Sequence, residues 1–458
     1  MARSRKSKRH TGQLYEQDMT DNASAVKFVD RYMQEMRYVY SWKKWLFWDG
    51  RRWNLKQGDN KVGDKSRLFA SSIWSEVELA WENGDESADD YVKFAQTSNK
   101  KERIKAVIDL AAYDQRVAIN HDQLDSDPYL FNALNGTYDL RSNTFREHQR
   151  EDLVTQVANV KFDEAAECPL WLQMLEHIFN GDQLLIHYVQ TLLGYSLSGI
   201  TDEHILPICY GSGNNGKSTL WNTIAEIFGD YSVLVSQDLL MPSKDQHPTE
   251  IADLYGRRFV AVSEPEQNRS LAESRVKDMT GDQVLKARRM REDFWEFVPT
   301  HTFWLSTNHK PKITGTDAGI WRRVKLIPFT VDLSDVVKVD KGFPDKLRAE
   351  YSGILNWCIA GWKSYQLHGL NEPKVVVDAT AEYRSSEDVF GEFLRETYIE
   401  NSGFMIGATE AFKSYQAWGG KMNKQAFSGE MTKRFEKAKG TVAPYRGKWL
   451  YRGIGLPE

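Results

Sequence analysis

One short segment, from Gly211 to Ser218, limits the fold of this chain more than any other. It reads GSGNNGKS, with the spacing G-x-x-x-x-G-K-[ST], and lies between HILPICYG, which predicts a strand, and STLWNTIAEIFG, which predicts a helix. Glycines let backbone N–H groups turn inward around phosphate oxygens, and the start of a helix adds a positive dipole end. The segment therefore predicts a phosphate-binding loop on an α/β sheet.

The expected contacts to phosphate come from this loop and the first helical turn. We expect Lys217 to reach the outer phosphates and Ser218 to offer its hydroxyl to Mg²⁺. The predicted phosphate-binding residues are Gly211, Ser212, Gly213, Asn214, Asn215, Gly216, Lys217, Ser218 and Thr219.

A site of this kind also needs a carboxylate for the metal and a group that orients water. The next apolar strand ends in FVAVSEPE, so Glu264 is expected to hold Mg²⁺, while Glu266 or Glu264 itself would polarise the attacking water. Either glutamate could instead only cap the following helix.

Further along, FWLSTNH ends in Asn308, whose amide would orient water at the edge of the sheet where ligands gather. Arg322 and Arg323 precede another apolar strand. One of them is expected to be an arginine finger that reaches the nucleotide of a neighbouring subunit, and the alternative is an ion pair within the chain.

Strands and helices alternate from the loop onward, which predicts a mainly parallel sheet flanked by helices. Upstream, NASAVKFVDRYMQEMRYV predicts a helix, and hairpin turns are predicted at Asp49-Gly50 and Asn135-Gly136. At the C-terminal end, helices followed by two strands around Arg446-Gly447 suit a winged-helix module.

The first of these hairpins is rich in tryptophan and in basic residues. Its aromatic side chains could stack on nucleic-acid bases, or they could pack on neighbouring helices, which is the interpretation that we favour. The tryptophans are Trp42, Trp45, Trp48 and Trp53.

Composition excludes several classes of protein. With 60 basic and 64 acidic side chains the net charge is −4, so any nucleic-acid site must be local. Cys168, Cys209 and Cys358 form no C-x-x-C pair, so neither a disulfide framework nor a cysteine-rich zinc site is predicted. No apolar run approaches the roughly 20 residues that cross a bilayer, and we expect a cytoplasmic protein.

Five segments, in this order and spacing, resemble the superfamily 3 helicase domain of phage and plasmid primase-helicases. They are GSGNNGKST, FVAVSEPE, KDMTGDQVLKARRMREDFWEF, LSTNHKP and GIWRRVKLIPF. The segments SWKKWLFWDGRRW and FNALNGTYDLR resemble the region that precedes the ATPase in that family.

The resemblance implies an AAA+-type ATPase that uses ATP and Mg²⁺ and forms a hexameric ring around single-stranded or forked DNA. By position, Arg323 is the favoured finger, and residues 284–297 match a hairpin that projects into the channel. The implied DNA-binding residues of that hairpin are Lys286, Arg288, Arg289 and Arg291. Some of them must face the ATPase core instead, because neighbours along a strand point to opposite faces.

These expectations divide the chain into four parts. They are a basic disordered tail (1–20), an N-terminal α+β domain (21–165), a helicase ATPase domain with a preceding helical collar (166–375) and a winged-helix domain (376–458).

The predicted function is that of an ATP-driven helicase of phage or plasmid replication in a bacterial host cell. The sequence departs from the family in TGDQ, where T-G-G-D is usual, and in Ser263-Glu264, where many relatives have paired acids. No primase module or primase zinc site is recognised, so primer synthesis is not predicted and a separate primase or polymerase is the expected partner. The alternatives are an ATP-switched DNA-binding initiator or helicase loader, and a small-molecule kinase.

Overall fold

The computed structural model describes most of the chain. The described residues are 19–242, 248–263, 269–281, 284–313, 315, 318–333, 340, 342–441 and 443–456. Within them, no helix combines the length and the apolar character needed to cross a membrane.

The N-terminal region combines helices with a small mixed sheet, as the sequence predicts. Its elements are α1 (Asp21–Tyr32), β1 (Met36–Val39), β2 (Lys44–Trp48), β3 (Trp53–Asn54), α2 (Leu55–Glu82), α3 (Ala88–Ser98), α4 (Lys101–Ala111) and β4 (Ala118–Ile119). The strand order is β3-β2-β1-β4, and β2 pairs antiparallel with both β1 and β3. The hairpin predicted at Asp49-Gly50 is therefore confirmed.

Two local predictions in this region have different outcomes. The helix expected over residues 22–39 is wrong at its end, because α1 stops at Tyr32 and β1 is a strand that pairs with β2 and β4. The tryptophans pack within the protein, since Trp42, Trp45 and Trp53 are buried and Trp48 is half-buried. Trp42, however, packs on Tyr255 and Trp295, which belong to no helix.

A three-stranded antiparallel sheet and two helices link this region to the centre of the molecule. They are β5 (Leu130–Ala133), β6 (Gly136–Asp139), β7 (Thr144–Arg146), α5 (Pro169–Ile178) and α6 (Gln183–Tyr195). Ala133 pairs with Gly136, which confirms the hairpin predicted at Asn135-Gly136.

The central region alternates strands and helices. In chain order it contains β8 (Leu206–Tyr210), α7 (Lys217–Phe228), β9 (Ser232–Val235), α8 (Pro248–Ala252), β10 (Phe259–Val262), α9 (Glu273–Met279), β11 (Leu285–Ala287), β12 (Trp295–Phe297), β13 (Thr302–Thr307), α10 (Ala318–Trp321), β14 (Val324–Pro328), α11 (Phe343–Ala349), α12 (Tyr351–His368) and α13 (Lys374–Glu387). The strands β11 and β12 form a separate antiparallel hairpin.

Five of these strands form one sheet in the order β14-β8-β13-β10-β9, and all of its pairings are parallel. The mainly parallel sheet is thus confirmed. Its inner strands are almost wholly buried, as expected for short apolar strands covered on both faces. Because the strands are parallel, β8, β13 and β10 end on the same side, which we call the carboxyl edge.

The helices α6 and α12 pack closely across two glycines. A Cβ at Gly194 would lie 2.1 Å from the backbone nitrogen of Trp362, and one at Gly361 would lie 2.0 Å from the carbonyl oxygen of Gln190. Only a hydrogen side chain allows this approach. The pair is part of the main hydrophobic core with α5 and α7.

The edge strand β14 is covered by α13. Thr380 accepts a hydrogen bond from the backbone N–H of Leu326 at 3.0 Å, and Tyr383 packs on Trp321. The helix that spans the predicted domain boundary at residue 375 therefore packs on the sheet.

The C-terminal unit has its own hydrophobic core, which includes Phe390, Phe393 and Tyr451. Its elements are α14 (Val389–Thr397), β15 (Ile399–Gly407), α15 (Ala408–Ala417), α16 (Lys424–Arg434), β16 (Lys437–Lys439) and β17 (Trp449–Gly455), with the strand order β15-β17-β16. Of the two strands predicted around Arg446-Gly447, the second is β17, but the first lies earlier, at β16. The winged-helix assignment remains a prediction.

Candidate functional site

The glycine loop lies where the sequence predicts it, between β8 and α7. Gly216 has φ +81° and is the N-cap residue of α7, where it offers no side-chain cap. In the first turn, the N–H of Lys217 donates to Asn215 Oδ1 at 3.4 Å. Gly211 is held against the segment after β14, because a Cβ there would lie 2.0 Å from the carbonyl oxygen of Phe329. Both glycines are thus required by the backbone path.

Lys217 is buried at the base of this loop. Its Nζ donates hydrogen bonds to the carbonyl oxygens of Gly211 (2.6 Å) and Ser212 (3.2 Å). It also donates to the amide oxygens of Asn215 (3.1 Å) and Asn308 (3.2 Å). The structure therefore brings two predicted site residues, Lys217 and Asn308, together at the carboxyl edge.

Two asparagines of the loop have roles that the sequence motif does not specify. Asn215 is buried and donates from Nδ2 to the carbonyl oxygen of Phe329 at 3.1 Å. The carbonyl of Asn214, a residue at φ +59°, accepts a hydrogen bond from the N–H of Leu333 at 2.8 Å. The segment after β14 therefore supports the loop, and no local sequence signal predicts this contact.

The exposed side of the loop has the chemistry that a polyphosphate requires. Ser212, Gly213 and Asn214 are exposed, and a Cβ at Gly213 would meet no atom within 4 Å. Ser218 is exposed on the first turn of α7, and Thr219 beside it is half-buried. A buried ammonium, open backbone and a helix start whose N-cap residue is a glycine fit the phosphate tail of a nucleotide.

The predicted carboxylates lie outside the described residues, which include neither Glu264 nor Glu266. The strand that precedes them, β10, ends at the carboxyl edge, where the N–H of Ser263 donates to the carbonyl of Val235 at 3.0 Å. Among the residues whose positions are described, no cluster of three or more His, Cys, Asp or Glu side chains is suited to a metal. This finding does not test the predicted Mg²⁺ ligands, Ser218 and Glu264, because only one of them is a residue of these four types.

The two predicted finger residues differ in exposure. Arg323 is buried; its Nε donates to Thr280 Oγ1 at 3.1 Å and its Nη1 to the carbonyl of Gly319 at 2.8 Å. Arg322 is exposed. Both arginines precede β14, so they lie at the side of the sheet opposite to the carboxyl edge.

The predicted DNA-binding residues form an exposed hairpin. Lys286, Arg288 and Arg291 are exposed, and the ammonium and guanidinium of the first two lie 5.2 and 4.7 Å from the ring centre of Phe294. Arg289 points the other way, but the rings that it contacts are Trp42 of the N-terminal region and Trp295 of the hairpin itself, whereas the sequence predicts a contact with the ATPase core.

Arg289 is held by an aromatic cluster that joins the N-terminal region to the hairpin. Its guanidinium lies 4.8 Å from the ring of Trp42 and 5.4 Å from the ring of Trp295. Tyr255 contacts both indoles edge-on, and His121 Nε2 is 2.8 Å from the carbonyl oxygen of Glu296. Sequence alternation predicts that some of the basic residues face the ATPase core, but it identifies neither Arg289 nor its aromatic partners.

Two other buried ionisable groups, the Cys209 thiol and the Tyr255 hydroxyl, have raised pKa values. Burial raises the pKa of the Cys209 thiol well above its ordinary value, and nearby Lys217 lowers it only in part. Burial likewise raises the pKa of Tyr255, whose hydroxyl donates to the carbonyl of His121 at 2.8 Å. Cys209 is a free, buried cysteine that packs in the main hydrophobic core.

Two protein families match successive parts of the chain, and the second match contains the glycine loop. Residues 25–180 match the family described as D5 N terminal like, and residues 209–323 match a family of unknown function, DUF5906. The first match spans the N-terminal α+β region, and the second runs from β8 to Arg323.

The chain is distantly similar to viral proteins that are named as candidate helicases and primases. It is 27% identical over 387 residues to a candidate helicase of Acanthamoeba polyphaga mimivirus, an alignment that covers 78% of this chain and 40% of that protein. It is 22% identical over 382 residues to a candidate helicase of Frog virus 3, covering 65% and 39%. A candidate primase of African swine fever virus is 24% identical over 327 residues, covering 64% and 34%. The chain thus spans two fifths or less of the length of these relatives.

A solved structure shares the fold. The apo C-terminal region of NrS-1 aligns with a TM-score of 0.54 at 12% identity, covering 94% of this chain and 99% of that one. At this identity the likeness concerns the arrangement of the elements alone.

Proposed function

We propose that this chain is the subunit of an ATP-driven DNA helicase of the superfamily 3 type, built on an AAA+-like core. It works as a ring that draws single-stranded DNA through its channel during replication of a virus or other mobile element. The relatives named as candidate helicases and primases support the class of activity. The setting in a phage or plasmid stays a prediction.

The position of Lys217 carries the proposal. Its buried ammonium lies 3.2 Å from Asn308 Oδ1 at the carboxyl edge. A cation here would neutralise the outer phosphates, and the neighbouring amide would orient a water molecule. ATP with Mg²⁺ would supply the phosphoanhydride bond whose hydrolysis releases the free energy for movement. Ser218 would hold the metal, with a carboxylate from Glu264 or Glu266.

The arginines support a site that is completed by a second subunit. The backbone of Arg323 lies beside the start of β8, because its carbonyl accepts a hydrogen bond from the N–H of Leu206 at 2.7 Å. The glycine loop begins five residues after Leu206, at the other end of the strand. At about 3.3 Å per residue, roughly 17 Å separates the backbone of Arg323 from the loop. No arginine side chain spans that distance within one chain. We propose Arg322 as the finger, because the guanidinium of Arg323 is already bonded within its own chain.

The hairpin β11–β12 would hold the DNA. Its exposed basic residues, Lys286, Arg288 and Arg291, are suited to phosphates and carry no information about base sequence. Movement of this hairpin on ATP hydrolysis would draw one strand through the ring.

Lys217→Ala tests the motor, with Lys161→Ala, at an exposed lysine outside the loop, as the matched control. We expect the loop variant to lose at least about 100-fold of its DNA-stimulated ATPase and its unwinding of a forked duplex, with the control unchanged. Circular dichroism would confirm that both variants are folded. A folded Lys217→Ala protein that unwinds the fork at the wild-type rate would overturn the proposal.

Mixing tests the shared site. Neither Lys217→Ala nor Arg322→Ala alone should hydrolyse ATP, but a mixture should recover activity, because some interfaces then combine an intact loop with an intact arginine. Recovery by Arg323→Ala and not by Arg322→Ala would reverse the assignment of the finger.

Light scattering in the presence of ATP measures the mass of the oligomer, and an inert monomer would contradict the ring. Sequence-specific DNA binding without unwinding would instead favour the initiator.

A further inference from the structure

A groove in the C-terminal unit is unrelated to the ATPase residues. It has a volume of about 780 Å³ and lies between the start of α15, the start of α16 and the loop between β16 and β17. Lysines line its walls, and aromatic rings lie at its floor and rim.

The walls of the groove are basic. Lys413, Lys424 and Lys448 line it and are exposed, and none of them forms an ion pair among the described residues. The whole unit shares this character: residues 389–456 contain eleven basic and six acidic side chains in a chain whose net charge is −4. Glu410 is the acidic residue of the lining, and it accepts a hydrogen bond from the Tyr445 hydroxyl at 3.4 Å.

Aromatic rings form the floor and the rim. Phe427 and Tyr451 are buried below the groove, whereas the indole of Trp449 is 56% exposed at its side. Lys437 lies beside this indole, with its Nζ 5.6 Å from the ring centre, and donates to Ser428 Oγ at 2.6 Å. An exposed indole beside a fixed cation offers both stacking and charge to a ligand.

The loop at the rim has a defined backbone path. A Cβ at Gly440 would lie 2.2 Å from the carbonyl oxygen of Tyr445, and the N–H of Gly447 donates to the carbonyl of Gly440 at 2.8 Å. These contacts hold Lys448 and Trp449 next to the groove.

We propose that this groove binds single-stranded nucleic acid, with a base stacked on Trp449 and phosphates held by Lys413, Lys424 and Lys448. Unpaired bases have free faces that stack on aromatic side chains, whereas the bases of a duplex already stack on each other. The volume of the groove matches one or two nucleotides and not the convex surface of a duplex. The site goes beyond the proposed helicase function, since it requires neither ATP nor the channel hairpin.

Binding of fluorescein-labelled oligo(dT) and oligo(U) to the full chain, measured by anisotropy without ATP, tests the groove. All proteins would carry Lys286→Ala, Arg288→Ala and Arg291→Ala, which removes the exposed basic residues of the hairpin. The groove variant combines Lys413→Ala, Lys424→Ala and Lys448→Ala. The matched control combines Lys421→Ala, Lys433→Ala and Lys439→Ala, which removes the same charge from exposed positions of the same unit outside the groove.

We expect the groove variant to lower the slope of log affinity against log salt concentration by about 2, because each phosphate contact to a single strand contributes about 0.7. Trp449→Ala should weaken binding about 5- to 100-fold and Trp449→Phe much less. The control triple should bind normally. Loss of oligo(dT) binding, oligo(U) binding or both in the groove variant identifies which strand the site takes.

Three outcomes would overturn the proposal: an equal loss in the control triple, equal competition by a duplex, or unchanged binding in both groove variants. Photocrosslinks from a halogenated pyrimidine to residues 443–451 would support it independently. DNA-independent ATPase should be unaffected by the groove variants. If the protein with an intact groove binds the oligonucleotides but hydrolyses no ATP, the helicase proposal alone is contradicted. If it hydrolyses ATP but the groove substitutions do not change binding, the groove proposal alone is contradicted.

Discussion

Among the contacts between a cation and an indole ring in this molecule, two have opposite surroundings. At the base of the β11–β12 hairpin, Arg289 lies between Trp42 and Trp295, which are 3% and 5% exposed. In the C-terminal unit, Lys437 lies beside Trp449, which is 56% exposed. The same pairing therefore joins two parts of the chain in the first region and remains available to a ligand in the second.

The difference comes from the neighbours and not from the pair itself. Tyr255 and His121 close the first cluster, and the His121 ring is 2.8 Å from the backbone carbonyl of Glu296 in β12. In the C-terminal unit the indole stands at the edge of a groove. A cation–π contact thus indicates stability or binding only once its burial is known.

The largest expected effect separates the two tryptophans. Trp42→Ala should lower the free energy of unfolding by about 3–5 kcal/mol, since it removes a buried aromatic side chain, whereas Trp449→Ala should change it by less than about 0.5 kcal/mol. Chemical denaturation measures both. Equal losses would show that Trp449 is also a packing residue and would remove the contrast.

Arginines of the hairpin provide the next comparison. Arg289→Ala should cost about 1–2 kcal/mol, because it removes a partly desolvated cation and its stem from between two rings, while Arg288→Ala at an exposed position should be close to neutral. Thermal unfolding followed by circular dichroism measures the difference. If the two variants melt together, Arg289 does not join the N-terminal region to the hairpin.

A buried histidine without a partner extends the comparison. Both ring nitrogens of His301 are buried with no hydrogen-bond partner among the described residues, and burial lowers its pKa to about 3. Below about pH 6.5 the unfolded chain binds a proton here that the folded chain does not, so stability falls as the pH falls towards 3.

His301→Phe should therefore reduce the loss of unfolding free energy between pH 7.5 and 5.5 by about 1 kcal/mol. The same substitution at the exposed His368 is the control for the loss of one imidazole. Denaturation curves at the two pH values measure it. Equal pH dependence in the wild type and His301→Phe would show that this ring titrates normally.

The smallest effect on stability is expected at the exposed face of the hairpin. Arg288→Ala with Arg291→Ala should change the free energy of unfolding by less than about 0.5 kcal/mol. The pair should nevertheless lower the salt slope of single-strand binding by about 1.4, since two phosphate contacts are lost. Titrations at several salt concentrations measure the slope. An unchanged slope would mean that this face does not contact DNA.

Much of the central fold could be predicted because its signals are local. The loop, the strand before it and the helix after it follow from glycine, periodicity and spacing, and both predicted hairpin turns form. Two strands had no clear signal: β9 is short and half exposed, and the first part of β15 is exposed and polar. Each is stabilised by pairing with a distant strand, β10 or β17, which a local pattern does not contain.

The sequence alone determined the chemistry that can meet at the carboxyl edge, because the residue types of the loop and the ends of successive parallel strands are encoded within short segments. Tertiary structure decided the rest: Asn215 bonds to Phe329, Arg323 is buried while Arg322 is exposed, and one tryptophan packs while another lines a groove. Burial depends on residues far away in the chain. The GSGNNGKS segment therefore predicts a phosphate-binding loop, but only the folded chain shows which of the two arginines is exposed.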